Sequence, residues 1–293
     1  MKVTLLGATG FIGRHVTAAL SARGDVVVPA SLRDPGAAAR ACDGADAVIN
    51  LAGEGIAQRW TPEVKERIRT SRVDAPRALI QRFSSMASPP KTYVSASAIG
   101  YYGSSEDLAF SESSPPGTDF LAQVCAAWEA EAAKAADAGA RVATIRTGLA
   151  LGADGGMLAQ LLPIFRVGAG GKVGDGRQWY SWIHIADVAG IYLAALDGIG
   201  GPLNATAPNP VHNVDFTRAL AGVLKRPALI PVPEIALRLR FGEAAAFISQ
   251  GQRVLPERTL ASGYTFQFPT LEGALRDLLE PRARGSQENH RPG

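Results

Sequence analysis

Gly7, Gly10 and Gly13 stand at GxxGxxG spacing in the stretch GATGFIG, after the apolar run KVTLL and before a segment with helical spacing. That pattern suits one chemistry. One glycine allows a tight turn, a second lets backbone approach a pyrophosphate, and a third lets helix pack closely on strand. The first N–H groups of the helix then meet the anion. Gly7, Thr9, Gly10, Phe11, Ile12 and Gly13 are therefore the expected dinucleotide cradle, with a merely structural turn as the plainer alternative. About twenty residues past the loop, where such a site meets the adenosine ribose, the chain reads SLRDP. Ser31 and Arg33 occupy that place, and a planar guanidinium suits a 2′-phosphate. NADP(H) is expected over NAD(H). Two other readings stay open: a shift of one residue would put Asp34 there as an NAD-type acid, and Arg33 could be a solvated loop charge.

These residues need elements to hold them. KVTLLGA, DVVVPAS, GADAVINLAG, KTYVSAS and ARVATIRTG read as short β-rich runs. Between them, FIGRHVTAALSARG, PEVKERIRTSRVDAPRALIQRFSS and DFLAQVCAAWEAEAAKAADAG carry helical periodicity. Strands alternating with helices predict an α/β fold, a Rossmann-type doubly wound parallel sheet covered on both faces. Past Gly148 the pattern loosens. The glycine-rich GAGGKVGDGRQW reads as a loop, IADVAGIYLAALDG and VDFTRALAGVLKRP as helices, the latter closed by Pro227, and the rest as mostly helical. The expected organisation is a nucleotide-binding domain over 1–210, with substrate-side insertions from about 150, and a smaller, mostly helical C-terminal substrate domain over 211–281 that shares the 150–185 loops with the cleft. Residues 282–293 are polar and read as a disordered tail.

Composition narrows the function classes. The chain has 293 residues, a formal net charge of +3 and 19% charged residues. No basic stripe interleaved with aromatics marks a nucleic-acid partner. Cys42 and Cys125 are far apart and form no CxxC, which predicts neither a disulfide nor a metal site. The first strand begins at Lys2, leaving no room for a signal peptide, and no apolar run reaches the ~18 residues of a membrane span. The expectation is a soluble cytoplasmic protein with a small-molecule substrate; no sequence feature specifies an oligomer.

Four later stretches carry a family resemblance. INLAG at 49–53 resembles the NAG element of short-chain dehydrogenases/reductases, and YVSASAIGYYG at 93–103 resembles the segment that delivers their catalytic serine or threonine. IRTGLALG and SWIHIADVA look like later elements of the extended, sugar-nucleotide-epimerase branch. With GGKVGDGRQWYSWIH and GQRVLP they are similar to an atypical epimerase-family oxidoreductase group that has its own small C-terminal domain. The resemblance implies Leu51, Ala52, Gly53 and Ser95 beside the cofactor, and Ser97 orienting a substrate oxygen. The substrate would be a polar carbonyl or alcohol, or a sugar-nucleotide compound.

The resemblance also implies a tyrosine and, four residues on, a lysine, placed on one helix face for proton transfer. DFLAQVCAAWEAEAAKAA offers neither. Its registers pair Val124 with Trp128 or Cys125 with Glu129, Lys134 lies too far along, and Leu121, Val124, Cys125 and Trp128 form an apolar stripe. Tyr102 is the expected stand-in proton donor, against packing on the substrate side of the sheet. Cys125 reads as a reactive thiol or a buried hydrophobe, and Glu129 as an acid–base group or a solvated charge. Glu54, Arg59, Trp60 and Arg177 are expected to line the pocket, with Arg72 facing the same cleft, Lys172 as a second anion contact and His184 as a structural residue. Two functions follow: an NADP(H)-dependent oxidoreductase or epimerase-like enzyme lacking the usual pair, or a non-catalytic NADP(H)-binding redox sensor or scaffold. A hydrolase built on Cys125 is a third.

Overall fold

The computed structural model describes residues 1–280; the tail expected over 282–293 lies outside the described residues. Its strands are β1 (Lys2–Leu6), β2 (Val26–Ala30), β3 (Ala47–Asn50), β4 (Thr92–Ala98), β5 (Ala109–Phe110), β6 (Arg141–Thr147), β7 (Leu149–Gly152), β8 (Trp179–Tyr180), β9 (Trp182–His184), β10 (Gly201–Ala205), β11 (Val211–His212) and β12 (Arg253–Val254). Its helices are α1 (Phe11–Ala22), α2 (Pro35–Cys42), α3 (Pro62–Arg72), α4 (Asp74–Ile80), α5 (Phe120–Ala133), α6 (Gly156–Arg166), α7 (Ile185–Leu196), α8 (Asn213–Leu224), α9 (Glu234–Phe241), α10 (Ala245–Ser249), α11 (Glu257–Ala261) and α12 (Leu271–Leu279).

Six parallel strands form the central sheet in the order β10-β6-β4-β3-β1-β2. The chain leaves β1 for β2 on one side and reaches β3 on the other, so the strand order reverses between β1 and β3. Open α/β sheets bind ligands outside the carboxyl ends of the strands at such a switch point. Strands buried on both faces read as apolar runs rather than alternations; β3 is buried at every position. One face is covered by α1 and α7, which bury Val16, Leu20, Val188 and Tyr192 against Val3, Leu5, Ile49 and Ile145. The other face buries Leu6, Val48 and Tyr93 with Leu79, Phe83 and Ala132.

Two expected helices differ in detail. The segment expected to run as one helix from Pro62 breaks at Val73, because Pro76 has no N–H to give the carbonyl of Arg72. α8 ends at Lys225, whose left-handed backbone (φ 54°) lets Arg226 N–H bond the Ala221 carbonyl before Pro227 is reached.

A second core joins Leu151, Leu158, Leu162 and Phe165 to Trp182, Phe216, Leu220, Ala274 and Leu275. It therefore draws on chain from both sides of position 210, and the 150–185 stretch contributes helix α6 as well as loops. Two carboxylates fasten the late segments to the sheet. Asp187, at the start of α7, accepts from Gln267 N (2.7 Å), Phe268 N (3.0 Å) and the Tyr264 hydroxyl (3.1 Å). Glu112 accepts from Asn204 N, Arg258 N and Thr259 N at 3.0 to 3.2 Å. Each is a hub whose removal would strand several buried donors.

Candidate functional site

The turn after β1 is built for close approach. Gly7 has a left-handed backbone (φ 84°), and a β-carbon there would stand 2.9 Å from Ala52 N. A β-carbon on Gly13 would come within 2.2 Å of the Gly7 carbonyl oxygen and 2.9 Å of Ala8. Gly10 N donates to that same carbonyl at 3.1 Å. α1 then starts with no side-chain cap and no acidic residue in its first turn. The first N–H groups of a helix and the positive end of its dipole are suited to receive an anion. Thr9 and Gly10 are exposed, Gly13 is buried, and Leu51 and Ala52 back the loop from the end of β3. Ile12 leans into the core between α1 and α7. The Phe11 ring turns towards Gly152, Gly155 and Gly156, so that a β-carbon on Gly155 would meet it at 2.2 Å. Asp154 in that turn pairs with Arg14 (3.2 Å) and His15 (3.1 Å), docking the 152–156 turn on the start of α1.

At the end of β2, Ser31 and Arg33 are exposed and Ser31 Oγ accepts from Arg33 N at 3.2 Å. Arg33 forms no ion pair among the described residues. Asp34 is the N-cap of α2, its Oδ1 accepting from Ala37 N at 2.9 Å. Asp34 is thus engaged by its own helix, while the Arg33 guanidinium has no ion-pair partner among the described residues.

At the end of β4 the sheet register aligns Ser97 with Arg146 and Arg146 with Asn204 across three neighbouring strands. Ser97 Oγ donates to Glu129 Oε1 at 2.6 Å. Arg146 grips both oxygens of Glu129, at 2.8 Å from Nε and 2.7 Å from Nη2. Arg146 Nη1 also donates to the Tyr102 hydroxyl at 2.9 Å, and that hydroxyl donates to Asn204 Oδ1 at 2.6 Å. The guanidinium lies 3.5 Å from the Tyr101 ring centroid, a cation–π contact. Arg146 is 4% exposed and Glu129 13% in their side chains, so the pair is largely withdrawn from water. Burial alone would lower the pKa of Arg146, but the Glu129 carboxylate outweighs it and raises it. Burial pushes the Tyr102 hydroxyl up to about 12, with Arg146 pulling the other way.

In this network Glu129 and Arg146 link Ser97 to Tyr102. Tyr102 donates its proton to Asn204 and accepts from Arg146. Glu129 is the carboxylate of a largely buried pair with Arg146. Ser95 is fully buried, its hydroxyl donating to Ala96 O at 3.0 Å, and stands in register with Asn50 at the end of β3.

On α5, Val124, Cys125 and Trp128 are buried as the stripe implies. Burial pushes the Cys125 thiol up to about 12, leaving it protonated at neutral pH. Lys134 pairs with Glu131 at 2.9 Å, away from Ser97. The loop after β3 holds the expected pocket residues. Glu54 N–H bonds Ser71 Oγ at 3.0 Å; Trp60 donates to Ile56 O at 3.0 Å and packs edge-on against Phe120. Arg59 Nη1 reaches across to Leu239 O at 3.1 Å, tying this loop to α9. Arg177 is exposed among the 167–178 turns, where its N–H bonds Asp175 at 2.9 Å. No hydrogen bond or ion pair joins it to Ser97, Glu129 or Arg146 among the described residues. Lys172 Nζ bonds Asp175 O at 3.0 Å. His184 caps α7 through Nδ1, which accepts from Ala186 N at 3.0 Å, and stacks on Phe268. Among the described residues no His, Cys, Asp and Glu cluster could hold a metal ion, and no helix is long and apolar enough to cross a membrane.

The residue missed by sequence reasoning is Arg146. Its signal was present: an arginine inside the apolar run ATIRTG must find a partner if that run is a central strand.

A doubly wound parallel sheet, a glycine turn at its switch point and a serine at the end of β4 define a nucleotide-binding α/β protein. The profile of the NAD dependent epimerase/dehydratase family matches residues 3–204, and a domain of unknown function (DUF1731) matches residues 232–278. The chain belongs to that epimerase family, in the group that carries this C-terminal domain. It is 39% identical over 303 residues to the chloroplastic homolog of epimerase family protein SDR39U1 from Arabidopsis thaliana, covering 96% of this chain and 87% of that one. It is 40% identical to the Mus musculus protein SDR39U1, covering 95% of this chain and 100% of that one. The crystal structure of human SDR39U1 (isoform 2) with NADPH superposes with a TM-score of 0.89 at 34% identity, covering 95% of this chain and 99% of that chain.

Proposed function

We propose that this protein is an NADP(H)-dependent oxidoreductase or epimerase-like enzyme acting on a small polar carbonyl, alcohol or sugar-nucleotide compound. The observation that carries the reading is the glycine turn, where Gly13 has room for hydrogen alone and an uncapped helix start faces outward. The human relative solved with NADPH supports the same reading. Gly7, Thr9, Gly10 and the first N–H groups of α1 hold the pyrophosphate, Leu51, Ala52 and Gly53 flank the adenosine side, and Ser31 and Arg33 take the 2′-phosphate. Bound there, a nicotinamide dinucleotide supplies hydride transfer.

The remaining work falls to the protein's own side chains. Ser97 orients the substrate oxygen. As that oxygen gives up its proton to Ser97 Oγ, the Ser97 proton passes to Glu129 along the 2.6 Å hydrogen bond. Arg146 fixes the Glu129 carboxylate, and Tyr102 and Asn204 fix Arg146. Tyr102 is therefore a positioning residue. Glu54, Arg59, Trp60 and Arg177 line the route to the cleft from the β3 loop and the 167–178 turns.

The cofactor preference has its own test. Arg33→Ala weakens NADPH binding by about tenfold, the size of one lost charge-assisted contact, and leaves NADH binding unchanged. Fluorescence titration reads both affinities. Equal losses for the two nucleotides would remove Arg33 from the 2′-phosphate.

A further inference from the structure

Arg72 ends α3 directly beneath Gly53, where a β-carbon would come within 3.1 Å of its guanidinium. The guanidinium lies over the Trp128 indole, 5.2 Å from the ring centroid. Nη1 donates to the Glu54 backbone carbonyl at 2.9 Å and reaches the Ile68 carbonyl at 3.5 Å. Among the described residues Nε and Nη2 have no acceptor, and no carboxylate pairs with this arginine.

The neighbouring anions are committed elsewhere. Glu54 accepts from Gln58 Nε2 at 3.0 Å and lies 3.7 Å from Arg67. Glu129 is held at both oxygens by Arg146 and at one by Ser97. Cys125 is a protonated thiol. Burial lowers the pKa of Arg72, and the Glu54 carboxylate offsets this only in part. Trp128 is 4% exposed and its Nε1 also lacks a hydrogen-bond partner. A half-buried guanidinium with two unpartnered nitrogens, stacked on a buried indole, is suited to receive an anionic oxygen from outside the chain.

We propose that Arg72, stacked on Trp128 beside Gly53, binds a carboxylate or phosphate group of the substrate. The proposal rests on the reading of this cleft as a substrate site. Cys125 lies within electrostatic reach of both Arg72 and Glu129, which puts the anion on the side of α5 that carries the Ser97–Glu129 pair. The dinucleotide's own phosphates have separate receptors in the glycine turn and Arg33. The substrate class therefore narrows to a polar carbonyl or alcohol that also carries a negative charge.

Calorimetry on the full chain tests this with wild type, Arg72→Gln and Arg72→Lys. Inorganic phosphate and malonate are titrated into protein saturated with NADP+, and NADPH is titrated separately. Arg72→Gln is expected to bind both anions about tenfold more weakly, Arg72→Lys to lose less, and neither to change NADPH affinity. Anion binding equal to wild type in Arg72→Gln would overturn the proposal, as would wild type that binds neither anion. NADPH affinity falling in step with anion affinity would also overturn it, by assigning Arg72 to the dinucleotide. Lower thermal stability in Arg72→Gln with unchanged anion affinity would reduce Arg72 to a structural residue. If wild type takes no NADPH, the enzyme reading fails alone, because the same anion titrations into free protein still read Arg72.

Discussion

Gly13→Ala abolishes dinucleotide binding and destabilises the fold by about 1–3 kcal/mol, the usual cost of forcing an extra carbon into packed surroundings. The added β-carbon would sit 2.2 Å from the Gly7 carbonyl oxygen and 2.9 Å from Ala8. Both neighbours are backbone, so no rotamer change relieves the contact. Either α1 moves away from the turn or the turn opens, and each loosens the cradle that aims the first N–H groups of the helix. Gly222→Ala is the matched control. It lies inside α8 with nothing within 4 Å of its added carbon, and is expected to be neutral or slightly stabilising. Thermal melts with and without NADPH separate the two. Gly13→Ala should lose the NADPH-induced rise in melting temperature and Gly222→Ala should keep it. A Gly13→Ala variant that keeps the full rise would show that the turn holds no pyrophosphate.

Glu129→Ala costs about 3–5 kcal/mol of stability, because it leaves a buried arginine without its carboxylate. Arg146 would keep only the Tyr102 hydroxyl and the Glu112 carbonyl as acceptors, in a site where it is 4% exposed. Glu129→Gln retains the shape and one acceptor oxygen for Arg146, and should cost less. Urea unfolding measures both. If Glu129→Ala falls within 1 kcal/mol of wild type, far below the range for breaking a buried pair, the site is more open to water than the structure shows. On a reacting substrate, Glu129→Gln should depress kcat more than KM, since it keeps the geometry and removes the proton acceptor. A fall confined to KM would place Glu129 in binding.

The glycine turn, the alternating strands and the strip Leu51–Gly53 were legible because each depends on neighbours in sequence. A tight turn needs glycine where it occurs, and a central parallel strand needs apolar residues on both faces. The break at Val73 was legible in principle from Pro76 alone. The network behind Ser97 was not, because its members come from β4, the turn Ile99–Tyr102 after it, α5, β6 and β10. Glu129 and Arg146 are 17 residues apart and Tyr102 and Asn204 are 102 apart. Sequence spacing showed that the tyrosine–lysine pair was missing from α5 without showing what stands in its place. Trp128 read as packed core, and it is, yet its indole also carries Arg72 and an unmatched N–H. The long-range carboxylate hubs Asp187 and Glu112 were hidden for the same reason. Each looks like an ordinary acid until the segments 264–268 and 257–259 fold back onto it.

On the proposed function, this cleft moves hydride between NADP(H) and a small polar substrate. The most direct measurement uses NADPH deuterated at the transferring carbon of the nicotinamide. The native protein is incubated with it and with the small molecules that co-purify, alongside a panel of polar carbonyl compounds bearing a carboxylate or phosphate. Mass spectrometry should find deuterium in a reduced product, formed faster from NADPH than from NADH and lost in Ser97→Ala. Tight NADPH binding with no deuterium in any product would contradict the account and leave a nucleotide-binding protein without turnover.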